Sequence, residues 1–202
     1  MTRIGAAERT TAETSIRVRI DLDGSGRVTV ETPIGFLDHL LTLFGRHALV
    51  DLEVHASGDV QVDEHHTVED TALVLGRAID EALGERLGIR RYGDVRIPMD
   101  EALALCAVDL GGRAYADVEP RPDPLTATNP WLELWPHFVE TLAREARAAV
   151  HAEVRRARST HHLAEGGTKA LARALRQAWE LDPRLADADA ETAVPSSKGT
   201  LR

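Results

Sequence analysis

The sequence predicts an α/β (α+β) fold in which two tandem repeats of strands, helix, strand and helix pack as one domain, with helices on a sheet. Three observations lead there. The segments His65-His66-Thr67-Val68-Glu69 and His161-His162-Leu163-Ala164-Glu165 share the pattern H-H-x-x-E and lie 96 residues apart. Each opens an apolar stripe at helical spacing. Each follows the same succession of alternating, strand-like runs and an earlier helical stretch.

Taken in order, residues 17–22 (RVRIDL) and 27–32 (RVTVET) read as strands around the turn Asp23-Gly24-Ser25-Gly26. Residues 36–48 have helical apolar spacing, and residues 50–56 (VDLEVHA) alternate as a strand does. From His65 a stripe at 68, 72, 75, 79 and 83 predicts a helix ending near Gly84 or Gly88. The second half repeats the order. Residues 94–110 and 113–119 are strand-like, 129–149 helical, 149–157 a strand, and 161–182 the closing helix. His39 then falls in the first helix of the first half and His137 in the first helix of the second. The repeats run from 9 to 88 and from 89 to 182, with a polar, irregular tail over 183–202. Residues 121–130, which hold three prolines, read as a loop rather than a domain linker.

Composition narrows the function classes. The 202 residues carry 24 Lys and Arg against 33 Asp and Glu, a net charge of −9 that argues against nucleic acid as a partner. No stretch approaches the roughly 18 apolar residues of a membrane span, so no membrane role is expected. The first fifteen residues lack the apolar run of a signal peptide. One cysteine cannot form an internal disulfide, which suits a reducing compartment. The expectation is a soluble, cytoplasmic, acidic protein. Cys106 sits in the apolar run ALALCAV and reads as a buried, inert thiol.

Aromatic residues make up only 4% of the chain, so its nine histidines are the informative type. Helix positions four apart share a face, whereas neighbours diverge by about 100°. His65 and Glu69 can approach one ion together, as can His161 and Glu165, while His66 and His162 point elsewhere. The pattern asks for two metal positions or for ligands shared between subunits. Imidazole and carboxylate donors without thiolate suit Mn, Fe, Co, Ni or Zn. Surface or capping histidines explain one such pair well, but not two in matching repeats. His55 and His151 lie on strands outside the pattern and read as ordinary surface residues.

Cations border these segments. Lys169 follows Glu165 by four, Arg90, Arg91 and Arg113 border strands of the second half, and Ser196-Ser197-Lys198-Gly199 lies in the tail. In an acidic chain they suggest a local site for a small phosphorylated substrate. Two other motifs fail. The run Asp21 to Gly26 imitates a calcium loop, but its twelfth position is Thr32 and its flanks are strands. Gly166-Gly167-Thr168-Lys169 has phosphate-loop composition in the wrong order, inside a helix.

From Arg9 to Leu201 the chain resembles the imidazoleglycerol-phosphate dehydratase family. The matching pieces are R-T-T-A-E-T (9–14), G-F-L-D-H-L-L (35–41), G-D-V-Q-V-D-E-H-H-T-V-E-D-T (58–71), G-I-R-R-Y-G (88–93), P-M-D-E-A-L (98–103), G-R (112–113), H-H-L-A-E (161–165) and P-S-S-K-G (195–199). The resemblance implies a repeated α/β unit, trimers assembling into a 24-mer, and two Mn²⁺ per subunit at subunit interfaces. It assigns the metal ligands to His39, His65, His66, Glu69, His137, His161, His162 and Glu165. Arg91, Arg113, Lys169, Ser196 and Lys198 would hold the substrate phosphate, with Glu13 and His47 lining the pocket. Metal-bound His39, His65, Glu69 and His161 would border the substrate as well.

The implied reaction removes water from imidazole glycerol phosphate to give imidazole acetol phosphate, in histidine biosynthesis. The proton to be lost sits on a carbon without an adjacent carbonyl, so simple base catalysis is slow. Metal-bound imidazole, ionised to imidazolate, can expel the neighbouring hydroxyl and make that proton acidic. A carboxylate must move it; Glu13 is the first candidate and Glu165 the second. The chain departs from the family pattern at Thr168, where an aromatic is usual, and at Ser159 and Ser197. Gly166 and Gly167 together cost on the order of 1–2 kcal/mol of helix stability. Two rival readings use the same residues: a dinuclear hydrolase of a small phosphate ester, which would release phosphate, and a metal-assembled paralogue without turnover.

Overall fold

The computed structural model describes residues 3–120, 129–185 and 193–201. The first half runs β1 (Ile4–Thr10), β2 (Thr14–Asp21), β3 (Val28–Glu31), α1 (Gly35–Ala48), β4 (Asp51–Gly58) and α2 (His65–Leu83). The second runs β5 (Tyr92–Met99), β6 (Ala102–Asp109), β7 (Tyr115–Glu119), α3 (Trp131–Glu145), β8 (Ala149–Arg156) and α4 (Thr160–Trp179), followed by a 3₁₀ turn at Pro183–Leu185. The strand orders β1-β2-β4-β3 and β5-β6-β8-β7 are the same order written twice. In each, one edge strand pairs parallel with the last strand and the remaining pairs are antiparallel.

Each sheet buries one face. Ile16, Val18 and Ile20 of β2 point inward with Leu52 and Val54 of β4, as do Ala104, Cys106 and Val108 of β6 with Val150 and Ala152 of β8. In the first half α2 covers β1 and β2 while α1 covers β3; in the second α4 covers β5 and β6 while α3 covers β7. The helices also pack across the halves, α2 on α3 and α1 on α4. The four helices are thus a middle layer between two sheets, and one continuous core joins both halves. No described helix is long and apolar enough to cross a membrane.

Two glycines at matching places set how closely helix meets sheet. A Cβ on Gly5 of β1 would stand 1.9 Å from the Ala78 carbonyl oxygen, and one on Gly93 of β5 would stand 2.1 Å from that of Ala174. Any side chain there would push α2 or α4 off its edge strand.

The predicted helices and most strands are present, with three differences. β1 carries no strand signal in the sequence, because its inward positions are Gly5, Ala7 and Arg9 rather than large apolar residues. The strands flanking Asp23–Gly26 do not pair with each other, since β4 lies between them. The loop instead wraps the Asp51 carboxylate, which accepts the backbone N–H of Ser25 at 2.8 Å and of Arg27 at 3.1 Å. The long run over 94–110 is two strands, reversed at Asp100, which takes φ +49°, and Glu101. Pro98 is tolerated because β5 is an edge strand. Residues 121–128 of the expected loop and 186–192 of the tail lie outside the described residues.

Candidate metal and substrate site

The cross-half helix contacts bring the histidines together in a way that the repeat alone does not suggest. His39 of α1 joins His161 and Glu165 of α4: Glu165 Oε2 lies 3.1 Å from His39 Nε2 and 2.9 Å from His161 Nε2. The two imidazole centroids are 5.3 Å apart, with Phe36 against both rings. His137 of α3 joins His65 and Glu69 of α2. Glu69 lies 3.8 Å from His65 Nε2 and 3.4 Å from His137 Nε2, and the two rings stack at 4.8 Å. In each group of two His and one Glu, donor atoms gather within 4.8 Å of one another. Each group therefore takes its first-helix histidine from the opposite half.

Both groups suit a divalent cation. The sharpest sign is His137 Nε2, a buried nitrogen with no hydrogen-bond partner, aimed at the Glu69 carboxylate. An unpaired buried imidazole nitrogen costs free energy, and coordination would satisfy it. At the other group burial opposes the charge on Glu165, but hydrogen bonds from Lys169 and His39, with a further one from His161, outweigh it and hold the carboxyl down at about 2. A carboxylate so strongly ionised is a good ligand and a poor proton acceptor near neutrality.

His66 and His162 stand outside both groups, as the 100° step predicts. His66 Nδ1 lies 3.1 and 3.2 Å from the two oxygens of Asp59, with Glu13 at 3.8 Å. His162 Nδ1 lies 2.8 and 3.0 Å from those of Glu101. Ser159 caps α4 by accepting the His162 N–H at 3.1 Å. Glu13 is exposed in the β1–β2 hairpin.

The anion-binding candidates fall at two places. Arg91 donates to both oxygens of Asp109, at 2.7 and 3.0 Å, and to the Pro195 carbonyl at 2.9 Å. That last bond holds the segment with Ser196 and Lys198 beside Arg91, and the loop leading to Arg113 starts over the Arg91–Asp109 pair at Gly111. Lys169 is elsewhere, 2.7 Å from Glu165 and 3.2 Å from Met99 Sδ at the far end of β5. Eight residues of extended chain, about 26 Å, separate Met99 from Arg91. One phosphate cannot touch both within one chain. His47, two turns beyond His39 on α1, has its pKa lowered by burial and by nearby Lys169 and Arg173, which places it at the Lys169 end.

Sequence reasoning passed over Asp59, Glu101, Asp109 and Phe36. Asp59 and Glu101 lie inside two of the most specific motif strings, but nothing in their spacing reveals what they touch. Cys106 is buried as expected, and burial pushes its thiol up to about 12.

A family model described as imidazoleglycerol-phosphate dehydratase matches residues 32–175. The imidazoleglycerol-phosphate dehydratase of Corynebacterium glutamicum is 46% identical over 203 residues, 98% of either chain. That of Granulibacter bethesdensis is 48% identical over the full length of both. Among solved structures, the enzyme from Pyrococcus furiosus, in complex with (S)-C348, superposes with a TM-score of 0.76 at 34% identity, over 96% of this chain and 99% of that one. The Staphylococcus aureus enzyme gives 0.75 at 31%, over 89% and 99%. With a family model over most of its length and relatives matched end to end, the chain belongs to the imidazoleglycerol-phosphate dehydratase family.

Proposed function

We infer that this chain is a hydro-lyase of histidine biosynthesis that removes water from imidazole glycerol phosphate, leaving imidazole acetol phosphate. The observation that carries the reading is the pair of His₂Glu groups, intact within a chain that matches the family throughout. We assign one Mn²⁺ to His39, His161 and Glu165 and a second to His65, Glu69 and His137. His66 and His162, turned away from both, are assigned as ligands to the groups of neighbouring subunits. Bound there, the metal would supply Lewis acidity toward the substrate imidazole.

The remaining work falls to the chain. Arg91, Arg113, Ser196 and Lys198 hold the phosphate of one substrate, and Lys169 reaches the same phosphate from a neighbour, with His47 lining the pocket at that end. The separation of Lys169 from Arg91 supports this, since a small substrate needs both ends of two subunits to complete one pocket. Glu13 is the proton acceptor: it is exposed, and Glu165 is committed to its histidines and Lys169. The chain works as one domain of two repeats, in trimers that build a 24-mer in the cytoplasm.

Turnover of imidazole glycerol phosphate by metal-stripped protein, with and without Mn²⁺, tests the reading. Ketone formed only with metal, and no free phosphate, is expected. Release of inorganic phosphate would instead make the chain a phosphate-ester hydrolase.

A further inference from the structure

We propose that Asp59 and Glu101 are positioning residues that fix the tautomer and aim of His66 and His162, leaving Nε2 of each free for a metal. The inference deepens the reading of those two histidines as ligands and rests on it. A neutral imidazole carries one N–H and one lone pair, and a carboxylate at one nitrogen draws the proton there. In both residues the carboxylate faces Nδ1, with both of its oxygens within 3.2 Å. His39, His161, His65 and His137 likewise turn Nε2 toward their glutamates. All six imidazoles therefore present the same nitrogen.

The two halves reach this end by different chain segments. Glu101 comes from the β5–β6 hairpin, 61 residues before His162, and also accepts the Arg158 N–H at 2.8 Å. The matching hairpin of the first half carries Glu13, one residue before β2 as Glu101 is one before β6. Glu13 is nevertheless not the main partner of His66. Asp59, just past β4, takes Nδ1 at 3.1 Å and leaves Glu13 at 3.8 Å, with more than half of its side chain exposed. Glu13, Asp59 and His66 could be mistaken for a third metal group. Both carboxylates face the same nitrogen, however, and a bridging proton accounts for that arrangement without an ion. The substitution of Asp59 for the hairpin glutamate thus frees Glu13 for the substrate, whereas Glu101 is occupied.

Asp59→Asn and Glu101→Gln test this. In Glu101→Gln the Arg158 N–H holds the amide oxygen, so the NH₂ group faces Nδ1 and favours the tautomer with the proton on Nε2; in Asp59→Asn one neutral acceptor replaces two charged oxygens at Nδ1 and weakens the draw on its proton. Full-length protein is stripped of metal and titrated with Mn²⁺, and free Mn²⁺ is read by electron paramagnetic resonance. Affinity is expected to fall by ~10–100-fold in both variants, with circular dichroism of the stripped proteins unchanged and partial recovery in Glu101→Asp. Should one variant unfold when stripped, its counterpart in the other half decides alone. His66→Gln and His162→Gln separate the two levels. If they lose Mn²⁺ while Asp59→Asn and Glu101→Gln bind within about twofold of the parent, against the order-of-magnitude loss expected, the positioning role is overturned. If the histidine variants themselves bind as the parent does, the ligand assignment fails and the inference with it.

Discussion

Gly166 and Gly167 are adjacent in one helix, yet replacing each with alanine should move stability in opposite directions. Helix propensity alone favours alanine by about 1 kcal/mol at either site. At Gly166 the added Cβ meets only Ala104 Cβ at 3.8 Å and Ala102 Cβ at 3.9 Å, ordinary contacts. Most of the propensity gain should survive, about 0.5–1 kcal/mol. At Gly167 the Cβ would stand 2.1, 2.6 and 2.8 Å from Cζ2, Cη2 and Cε2 of Trp135. The indole would have to retreat by about 1.5 Å to reach contact distance, and at 1% exposure it can do so only by moving its buried neighbours. Overpacking of this kind costs about 1–3 kcal/mol. Weakening the bond from Trp135 Nε1 to Thr168 Oγ1, now 3.2 Å, adds about 1 kcal/mol more. Net of propensity, Gly167→Ala should lose about 1–3 kcal/mol, which for a chain of this size lowers Tm by roughly 2–12 °C, while Gly166→Ala raises it by roughly 1–4 °C. Thermal unfolding of the chelated proteins at one fixed concentration reads both. Combining Gly167→Ala with Trp135→Phe, which lacks the clashing ring atoms, should cancel most of the loss. A Gly167→Ala protein as stable as Gly166→Ala would refute the packing account.

On the proposed assignment of Glu13 as proton acceptor, Glu13→Gln should bind Mn²⁺ and assemble as the parent does but lose about 10²–10⁴-fold in kcat, the range for a lost general base; near-normal turnover would move that role elsewhere. Cys106, with its thiol pushed up to about 12 by burial, should resist iodoacetamide in the native protein and react fully in denaturant. Labelling at equal rates in both states would contradict its burial. Asp51 is held well below its ordinary value of 3.8, chiefly by the Arg27 side chain and also by the Ser25 N–H. A depressed carboxylate contributes stability that is present above its unfolded pKa and lost as the pH falls below it. Asp51→Asn should therefore be the less stable protein at neutral pH and should flatten the loss below about pH 4; acid curves of equal steepness would argue against the pairing.

What the sequence made legible was the part written in periodicity. The stripes of α1, α2 and α4 and the i, i+4 geometry of His65–Glu69 and His161–Glu165 follow from helix repeat alone. β1 carries no such signal, because its core-facing positions were given up to let α2 approach. That His39 would meet Glu165 and His137 would meet Glu69 depends on how two halves dock, which no local pattern encodes. The departure at Thr168 also becomes intelligible only in three dimensions. Trp135, one helix away, lies over Gly167 and donates to Thr168, so bulk carried by α3 accompanies small residues on α4. The glycine that looked like a weak point in a helix is a fitted surface. Asp59 and Glu101 were visible as letters in motifs, but their role appears only once a hairpin and a strand end are set beside a histidine.

The crossing of the halves also bears on synthesis. His39 emerges from the ribosome 126 residues before the glutamate it faces. A nascent first half holds only two of the three donors of the His65, Glu69 and His137 group, and the third arrives with α3. The other group waits for α4, the last of the described α-helices to be made. On the proposed assignment neither His₂Glu group is complete until both halves have docked, so an unfinished chain would hold an ion more weakly than a finished one.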